Sequence, residues 1–332
     1  MKVLVYLEHS DVRGGIEVFA DSHVARLRAE GHEVEVLGEW GTGVLDAFDE
    51  IIVHKCSDVA TLELFPPEKT VYYVHDHEPI CPRSYAYTPL GNNCTRSGGF
   101  FPCIFCAPLS RAWKAALVRV LSQGRRKRAM ARFRKIVVIS EFMKSRLLAN
   151  GLPPEKVEVE PPVIGKYERG DCCASVADGD VGTESHCAID LLYVGQLVRG
   201  KGVQLLLAAM AEMKTRRTLD IVGAGNMEPK LRALAESLGI ADRVRFNGFQ
   251  RNPQDWMRRA ACVVVPSFWQ EPYGLVATEA VMLGRPVVAF AVGGLPEACM
   301  GKATLVPPGD VAALATALDN QFHESRRLPV ED

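Results

Sequence analysis

The chain has 332 residues, of which 48% are hydrophobic, and its formal net charge at pH 7 is -1. These values are typical of a soluble globular protein, and the length suits two domains better than one hydrophobic core. They argue against a membrane-spanning chain, because no apolar run approaches the length of a transmembrane helix. The first apolar segment, Val3 to Leu7, is too short for the core of a signal peptide, so we expect a cytoplasmic protein.

Short apolar runs alternate with helical patterns along nearly the whole chain. This alternation predicts an α/β protein with parallel sheets that are covered by helices on both faces. The first half contains five predicted strands: Lys2 to Leu7, Glu33 to Leu37, Ile51 to His54, Val71 to His75 and Ile136 to Ser140. The second half contains six: Leu191 to Gly195, Leu219 to Val222, Val244 to Asn247, Cys262 to Val265, Val287 to Phe290 and Thr304 to Val306.

Between the two halves the chain is polar, acidic and rich in Gly, Ser and Asp, which is typical of a flexible linker or insertion. We therefore predict a first Rossmann-like domain at residues 1–165, a linker or insertion at 166–188 and a second Rossmann-like domain at 189–332.

Two predicted strand ends of the first domain carry candidate functional residues. The segment HSDVRGGIE follows the first strand and places Gly14 and Gly15 at the start of a long helix. His75 ends the strand VYYVH and precedes Asp76. The pattern alone also allows a simple strand-to-helix connection at the glycines and a satisfied polar side chain at the histidine.

The protein contains ten cysteines, and in a reducing compartment these are thiols or metal ligands rather than structural disulfides. Cys81, Cys94, Cys103 and Cys106 lie in a loop-rich insert, residues 81–106. A C-x-x-C pair with two further cysteines can bind zinc tetrahedrally, although the spacing from Cys81 to Cys94 is wide for a zinc module. Structural zinc, reduced buried thiols and an iron–sulfur cluster are the three alternatives.

A basic segment, residues 111–135, lies within a longer stretch, 79–140, that contains no Asp or Glu. Trp113, Leu117, Val120 and Leu121 give its helix an apolar stripe. This combination predicts a surface that lies on an anionic membrane and reaches a lipid-linked acceptor. The alternative is a helix packed on the sheet with a solvated basic face. We expect no nucleic-acid partner, because charge is present without a recognisable reading module.

The second domain begins with a glycine-rich turn. The segment DLLYVGQLVRGKG combines Gly195 at a strand end with Arg199 and Lys201, and such a turn can hold oxyanions. Gly223 and Gly225 follow the next strand, where they permit close backbone approach to a ligand.

The segment PSFWQEPYGLVATEAVMLGRPVVAFAVGGLPE, residues 266–297, is the most informative part of the chain. A buried strand precedes it, and Gly274 relieves a tight turn before a helix that starts at Leu275. The N–H groups of Tyr273, Gly274 and Leu275, with the helix dipole, favour a diphosphate there. Glu271 and Glu279 can accept hydrogen bonds from hydroxyls on either side of it. A nucleotide sugar has this shape.

This segment resembles the donor-site signature of retaining GT-B glycosyltransferases, glycosyltransferase family four. The resemblance implies two Rossmann-like domains whose parallel sheets face each other across a cleft, and catalysis that requires no divalent ion. The family usually carries G-R-x-x-x-x-K-G in the turn after the first strand of the second domain. Lys201 matches that lysine, but Gln196 stands at the usual arginine position, so either Arg199 substitutes for it or the charge is missing.

The resemblance also implies roles for individual residues. Gly14 and Gly15 lie on the acceptor side with His75 and Asp76, and His75 lies near the donor sugar. Gly248 and Phe249, in FNGFQ, pass beside the nucleotide base. Lys201, Glu271 and His75 form the expected catalytic group, and the remaining donor-binding residues are Gly195, Arg199, Gly223, Gly225, Tyr273, Gly274, Leu275 and Glu279.

We therefore expect a retaining, hexosyl-type transferase that moves a sugar from a UDP- or GDP-sugar to a hydroxyl of a carbohydrate, lipid-linked or small-molecule acceptor. Cell-surface polysaccharide or glycoconjugate synthesis is the expected setting, at the inner face of the membrane. The alternatives are a sugar-nucleotide epimerase of the same fold and a non-catalytic, membrane-associated binding protein, which Gln196 makes conceivable.

Overall fold

The computed structural model describes residues 1–8, 15–38, 45–84, 86–88, 93–95, 103–106, 113–162 and 188–324. The chain divides into two compact units, Met1–Gly165 and Lys166–Asp332. Each unit contains a six-stranded sheet of parallel strands, which confirms the predicted α/β class. Gly14, Arg111 and all but the last residue of the predicted linker, 166–188, lie outside the described residues.

The first unit has six strands: β1 (Lys2–Leu7), β2 (Glu33–Leu37), β3 (Glu50–Lys55), β4 (Thr70–Val74), β5 (Lys135–Val138) and β6 (Val157–Val159). Its longer helices are α1 (Gly15–Ala29), α2 (Val59–Leu64), α3 (Trp113–Arg132) and α4 (Glu141–Leu148). The strand order is β2-β1-β3-β4-β5-β6. The order therefore reverses beside β1, and in such sheets ligands bind where the carboxyl-end loops diverge.

The inner strands of this sheet are buried on both faces, which explains why β1, β4 and β5 are nearly continuous apolar runs. Alternate residues of a strand point to opposite faces. One face packs against α3 and α4, with a core that includes Leu4, Ile51, Met130, Met143 and Leu147. The other face packs against α1, with a core that includes Val3, Val5, Ile52, Val24 and Leu27.

The second unit also has six strands: β7 (Ile189–Val194), β8 (Leu219–Val222), β9 (Val244–Phe246), β10 (Ala260–Val265), β11 (Val287–Phe290) and β12 (Ala303–Val306). Its helices are α5 (Val203–Glu212), α6 (Glu228–Ser237), α7 (Pro253–Arg258), α8 (Leu275–Met282), α9 (Leu295–Ala298) and α10 (Val311–Glu324). The strand order is β12-β11-β10-β7-β8-β9, which is the Rossmann order. Its switch point lies between β7 and β10, so the loops after these two strands define the candidate ligand crevice.

The eleven predicted strands are all present, with ends that agree to within two residues. His75 lies just beyond β4 rather than in it. Ser140 was predicted to end the fifth strand but lies beyond β5, because its hydroxyl accepts a hydrogen bond from the Met143 N–H at 3.0 Å and caps α4. The sequence pattern missed β6, because a three-residue strand is too short to show a period.

Candidate functional site

The loops after β7 and β10 bring two predicted site residues into direct contact. β7 leads through the 3-10 turn Arg199–Lys201 into α5, and β10 leads through residues 266–274 into α8. The Lys201 Nζ donates a hydrogen bond of 2.6 Å to Glu271 Oε1. Beside it, the Phe268 N–H donates to the Gly200 carbonyl at 3.1 Å. Residues that are far apart in sequence therefore form one ion pair at the switch point.

Glu271 is 7% exposed and its charge is well compensated. Burial by itself would raise the pKa of this carboxyl group. The Lys201 ammonium and hydrogen bonds from Lys201, Trp269 and Ser267 oppose that effect and hold the pKa below its ordinary value. Glu271 is therefore ionised at neutral pH and acts only as a hydrogen-bond acceptor.

Trp269 joins the two loops, and the sequence analysis did not identify it. Its Nε1–H donates to Glu271 Oε1 at 2.9 Å, and the Lys201 Nζ lies 5.4 Å from the centre of its ring. A Cβ at Gly200 would lie 2.4 Å from that ring, so the glycine in R-G-K-G makes room for the indole. The only sequence signal was a tryptophan two residues before Glu271, and that spacing says nothing about where the ring packs.

The structure gives Gly223 and Gly225 a packing partner within the protein. A Cβ at Gly223 would lie 1.8 Å from the Gly195 carbonyl oxygen, and a Cβ at Gly225 would lie 2.4 Å from that of Leu197. The Gly223 N–H also donates to the Gly248 carbonyl at 2.8 Å. These glycines thus let the loops after β7, β8 and β9 pack backbone to backbone. Their contact with a donor stays a prediction, as does that of Phe249, whose side chain is 68% exposed.

Helix α8 begins at Leu275, as predicted. Gly274 precedes it with a φ of +127°, and its carbonyl accepts from the Ala277 N–H at 2.9 Å. The Tyr273 side chain is buried beside this turn. The N–H groups of Leu275 and Val276, the first two residues of the helix, precede that of Ala277 and have no acceptor within the helix, so this end of α8 suits an anion.

Glu279 lies one turn into α8 and is half-buried. The Gln254 Nε2 donates to its Oε2 at 3.2 Å. Burial raises the pKa of Glu279 to about 7, and the hydrogen bond from Gln254 only partly opposes this rise. The charged form of such a carboxyl group has too few hydrogen bonds to offset its burial. Hydrogen bonds from ligand hydroxyls would therefore favour the charged form.

In the first unit, His75 lies at the carboxyl end of β4 and is hydrogen-bonded to a second histidine. The distance from His75 Nε2 to His54 Nδ1 is 2.9 Å. His54 Nε2 in turn lies 3.2 Å from His23 Nδ1. The sequence analysis identified only His75, because His23 and His54 look like isolated polar residues in an amphipathic helix and a buried strand.

Asp76, the neighbour of His75, has a pKa raised to about 6 by burial and by the nearby Glu78 carboxylate. Its Oδ1 accepts a hydrogen bond of 2.7 Å from the Glu78 N–H. Gly15 is the first residue of α1, as predicted.

The four cysteines of the insert are half-buried. Among the residues that the structure describes, no group of three or more His, Cys, Asp or Glu side chains is arranged to hold a metal ion. Arg83 donates instead to the Cys106 Sγ at 3.7 Å, and Arg146 donates to the Cys94 carbonyl at 3.0 Å. Structural zinc at the four cysteines stays a prediction from the sequence.

The basic segment 111–135 is partly neutralised within the first unit. Arg126 is buried, donates to the carbonyls of Cys56 and Ser57, and pairs with Glu78. Several other cations of the segment are paired with acidic residues: Arg119 with Glu78, Arg125 with Glu63, Arg134 with Glu50, and Lys135 with Glu158 and Glu160.

The predicted apolar stripe of this segment is only partly exposed. Val120 is buried, whereas Trp113 and Leu121 are exposed together with Val118. No helix in the described ranges is long and apolar enough to cross a membrane.

The family model for glycosyl transferases group 1 matches residues 188–323, which include the segment 266–297. This match confirms the resemblance on which the site prediction was based. The D-inositol 3-phosphate glycosyltransferase of Frankia alni is 38% identical over 195 residues, which cover 52% of this chain and 46% of the relative. The same-named protein of Streptomyces scabiei is 36% identical over 194 residues, which cover 53% and 43%. The match thus spans less than half of each relative.

Solved glycosyltransferase structures share the fold over nearly the whole chain. HepE of Anabaena, in complex with UDP and glucose, is 19% identical and has a TM-score of 0.66. The match covers 98% of this chain and 91% of the HepE chain. Sucrose-phosphate synthase of Thermosynechococcus elongatus has a TM-score of 0.67 at 19% identity, with 98% and 90% covered. Likeness at this level of identity establishes the GT-B type of fold, with its two Rossmann-like units, and leaves the substrate open.

Proposed function

We propose that the protein is a retaining glycosyltransferase that uses a UDP-sugar. The observation that carries this proposal is the Lys201–Glu271 pair at the switch point of the unit that matches the family model for glycosyl transferases group 1. The ammonium group of Lys201 can pair with a diphosphate, and the carboxylate of Glu271 beside it can accept hydrogen bonds from the hydroxyls of an attached sugar. UDP is favoured over GDP because the structural relative HepE binds UDP and UDP-glucose.

In this proposal, catalysis is largely electrostatic. The bond from the sugar carbon to the diphosphate breaks, and the nucleoside diphosphate leaves with the bonding electron pair, so an additional negative charge develops on its terminal phosphate in the transition state. Lys201 and the start of α8 stabilise that charge, and Arg199 is available on the same exposed turn. Glu271 binds hydroxyls of the sugar and Glu279 those of the ribose. His75 serves the transferred sugar, as the resemblance implies.

A product assay tests this proposal. The protein is incubated with UDP-glucose and related UDP- and GDP-sugars in the presence of candidate acceptors, and the products are followed by mass spectrometry and by NMR of the anomeric proton. We expect release of UDP and a glycoside with the anomeric configuration of the donor. Inverted configuration would exclude retention, an altered free sugar nucleotide would indicate an epimerase, and no product would favour a binding protein.

Two glutamate variants link any activity to the site. Glu271→Gln keeps the shape of the side chain but removes the charge that Lys201 pairs with, so we expect transfer to fall about 100-fold. Glu236→Gln changes an exposed glutamate of α6 and should leave transfer unchanged. Equal activity in the two variants would remove Glu271 from the mechanism.

We also propose that the enzyme works at the cytoplasmic face of an anionic membrane, where its acceptor is lipid-linked. The exposed side of α3 carries Val118 and Leu121, which are 64% and 65% exposed, and continues into the exposed cations Arg128 and Arg132. An apolar patch that borders cations complements an anionic lipid surface.

Sedimentation with vesicles tests the membrane proposal. Binding to vesicles with anionic lipid should fall as salt rises and should be weakened by Leu121→Ser. Leu305→Ser, which changes an exposed leucine of the second unit, is the matched control. Absence of binding at low salt, or equal binding of both variants, would contradict a membrane surface on α3.

A further inference from the structure

Three histidines of the first unit form a hydrogen-bonded row. His23 lies on α1, His54 on β3 and His75 directly after β4. Their ring nitrogens are 3.2 Å apart between His23 and His54 and 2.9 Å apart between His54 and His75. The row follows from the topology, because β3 pairs with β4 and α1 packs on the same face of the sheet.

Burial keeps these rings neutral near pH 7. It is the largest cause of a lowered pKa for all three histidines: to about 4 for His23, to about 3 for His75 and well below the ordinary value for His54. A neutral imidazole has one N–H and one acceptor nitrogen. Each ring can therefore donate only one hydrogen bond. Since His54 has a histidine at each of its nitrogens, it accepts a hydrogen bond from one neighbour when it donates to the other.

The surrounding aromatic rings limit rotation of the row. Phe19 packs edge-to-face with all three imidazoles, and its ring centre lies 4.9 Å from that of His75, 5.6 Å from that of His54 and 6.2 Å from that of His23. The Tyr73 ring packs beside His54 at 4.8 Å. A ring that cannot flip can change only the nitrogen that carries its proton.

The charged groups around the row lie at its two ends. His23 lines a cavity of about 290 Å³ with Arg26 and Glu160, and Glu160 is bonded to Tyr73 and Lys135. The Arg26 charge lowers the pKa of His23 and the Glu160 charge raises it. Lys55, Asp76 and Glu78 line a small pocket with His54 and His75 at the other end.

We infer that His54, held in turn by His23, is a positioning residue that fixes the tautomer of His75. With His54 in place, one defined nitrogen of His75 carries the proton, so its free ring nitrogen is always a donor or always an acceptor toward a ligand. The consequence for catalysis rests on the proposed function, because only the resemblance assigns His75 to the transferred sugar. The tautomer itself can be measured without any substrate.

NMR of protein labelled with ¹⁵N-histidine provides that measurement. His75→Gln identifies the His75 signals among those of the eight histidines. In the wild type, His75 should show one protonated and one unprotonated nitrogen. In His54→Phe, which keeps a ring but removes both hydrogen bonds, the two nitrogens should give averaged signals of mixed tautomers. His54→Asn, whose amide can replace the Nδ1 partner, should restore the separation.

Unchanged His75 signals in His54→Phe, or averaged signals already in the wild type, would overturn the inference. His23→Phe guards against a folding defect in the His54 variants, since it leaves the His54–His75 bond intact and should loosen the tautomer only partly. If His75 keeps its full tautomer preference in His23→Phe, then His23 does not help to fix the tautomer. His32→Gln, a change near the end of α1 outside the row, is the control for labelling and folding.

Kinetics then separate this inference from the proposed function. If glycosyl transfer is found, His54→Phe should lower kcat roughly tenfold, with less effect on KM, and His54→Asn should recover most of the loss. A fixed tautomer in a protein without transfer activity would uphold the positioning of His75 and reject the proposed function. Glycosyl transfer by a wild-type protein in which His75 exchanges freely between tautomers would uphold the proposed function and reject the positioning of His75.

Discussion

Replacement of Glu279 by glutamine should stabilise the protein above neutral pH, even though it damages the site. Burial raises the pKa of this carboxyl group from 4.5 to about 7 in the folded chain. The charged form is therefore disfavoured by folding, and a neutral amide of nearly the same shape avoids that cost. Gln254 can still donate to the new side chain, so the packing around α7 and α8 is kept.

The size and the sign of the effect follow from linkage. A shift from 4.5 to about 7 corresponds to roughly 3 kcal/mol, and partial exposure reduces this to about 2 kcal/mol. Because the folded pKa is raised, the wild type has its full stability below about pH 4.5 and loses part of it as the pH rises through 7. The advantage of Glu279→Gln should thus be about a quarter of its full value at pH 5 and nearly complete at pH 8.

Scanning calorimetry at pH 5 and pH 8 measures this difference. For a unit of this size, about 2 kcal/mol corresponds to a rise in Tm of roughly 5 °C in the transition of the second unit at pH 8. Glu236→Gln, at an exposed position, should shift Tm by less than about 1 °C at either pH. An equal rise in Tm at the two pH values, or a fall in Tm at pH 8, would refute the reasoning that the charged form of Glu279 destabilises the folded protein.

Three further predictions concern the same loops. UDP-sugar affinity of the wild type should weaken as the pH falls below 7, because Glu279 loses its charge, and this dependence should be absent in Glu279→Gln by calorimetric titration. Trp269→Phe keeps the ring but removes the hydrogen bond to Glu271, so donor affinity should fall about tenfold, and Trp256→Phe should leave it unchanged. Gly202→Ala should lower unfolding stability by more than about 3 kcal/mol in denaturant titrations, because the new Cβ would lie 1.8 Å from a carbonyl oxygen; Gly239→Ala, with open space, should cost only about 1 kcal/mol.

The fold was largely predictable from the sequence because the sheets are buried on both sides. A strand that is covered on both faces is largely apolar, so the run Val287–Phe290 was located without error. The run Leu219–Val222 was also located without error, and its one polar residue, Asp220, is buried and paired with Arg245. A short strand with one buried residue, such as Val157–Val159, produces no such run. The turn and helix after Glu271 were also predictable, because Gly274 and the helix that begins at Leu275 lie where the sequence pattern places them. The binding of a donor at this loop stays a prediction.

Contacts between distant segments were not predictable. The indole of Trp269 lies on Gly200 because two strands that are separated in sequence are neighbours in the sheet. The row of His23, His54 and His75 likewise exists only after β3, β4 and α1 have packed. A single sequence gives the identity of each residue but not the pairing of loops that brings them together.

The most direct test of the account is a calorimetric titration of UDP and UDP-glucose into the wild type and into Lys201→Met. The account predicts saturable binding to the wild type that is weakened at least about tenfold in Lys201→Met, since the diphosphate loses its cation. Lys230→Met, which changes an exposed lysine of α6, should bind like the wild type. Absence of binding at millimolar UDP, GDP and their sugars, or equal affinity in Lys201→Met, would contradict a nucleotide-sugar site at the Lys201–Glu271 pair.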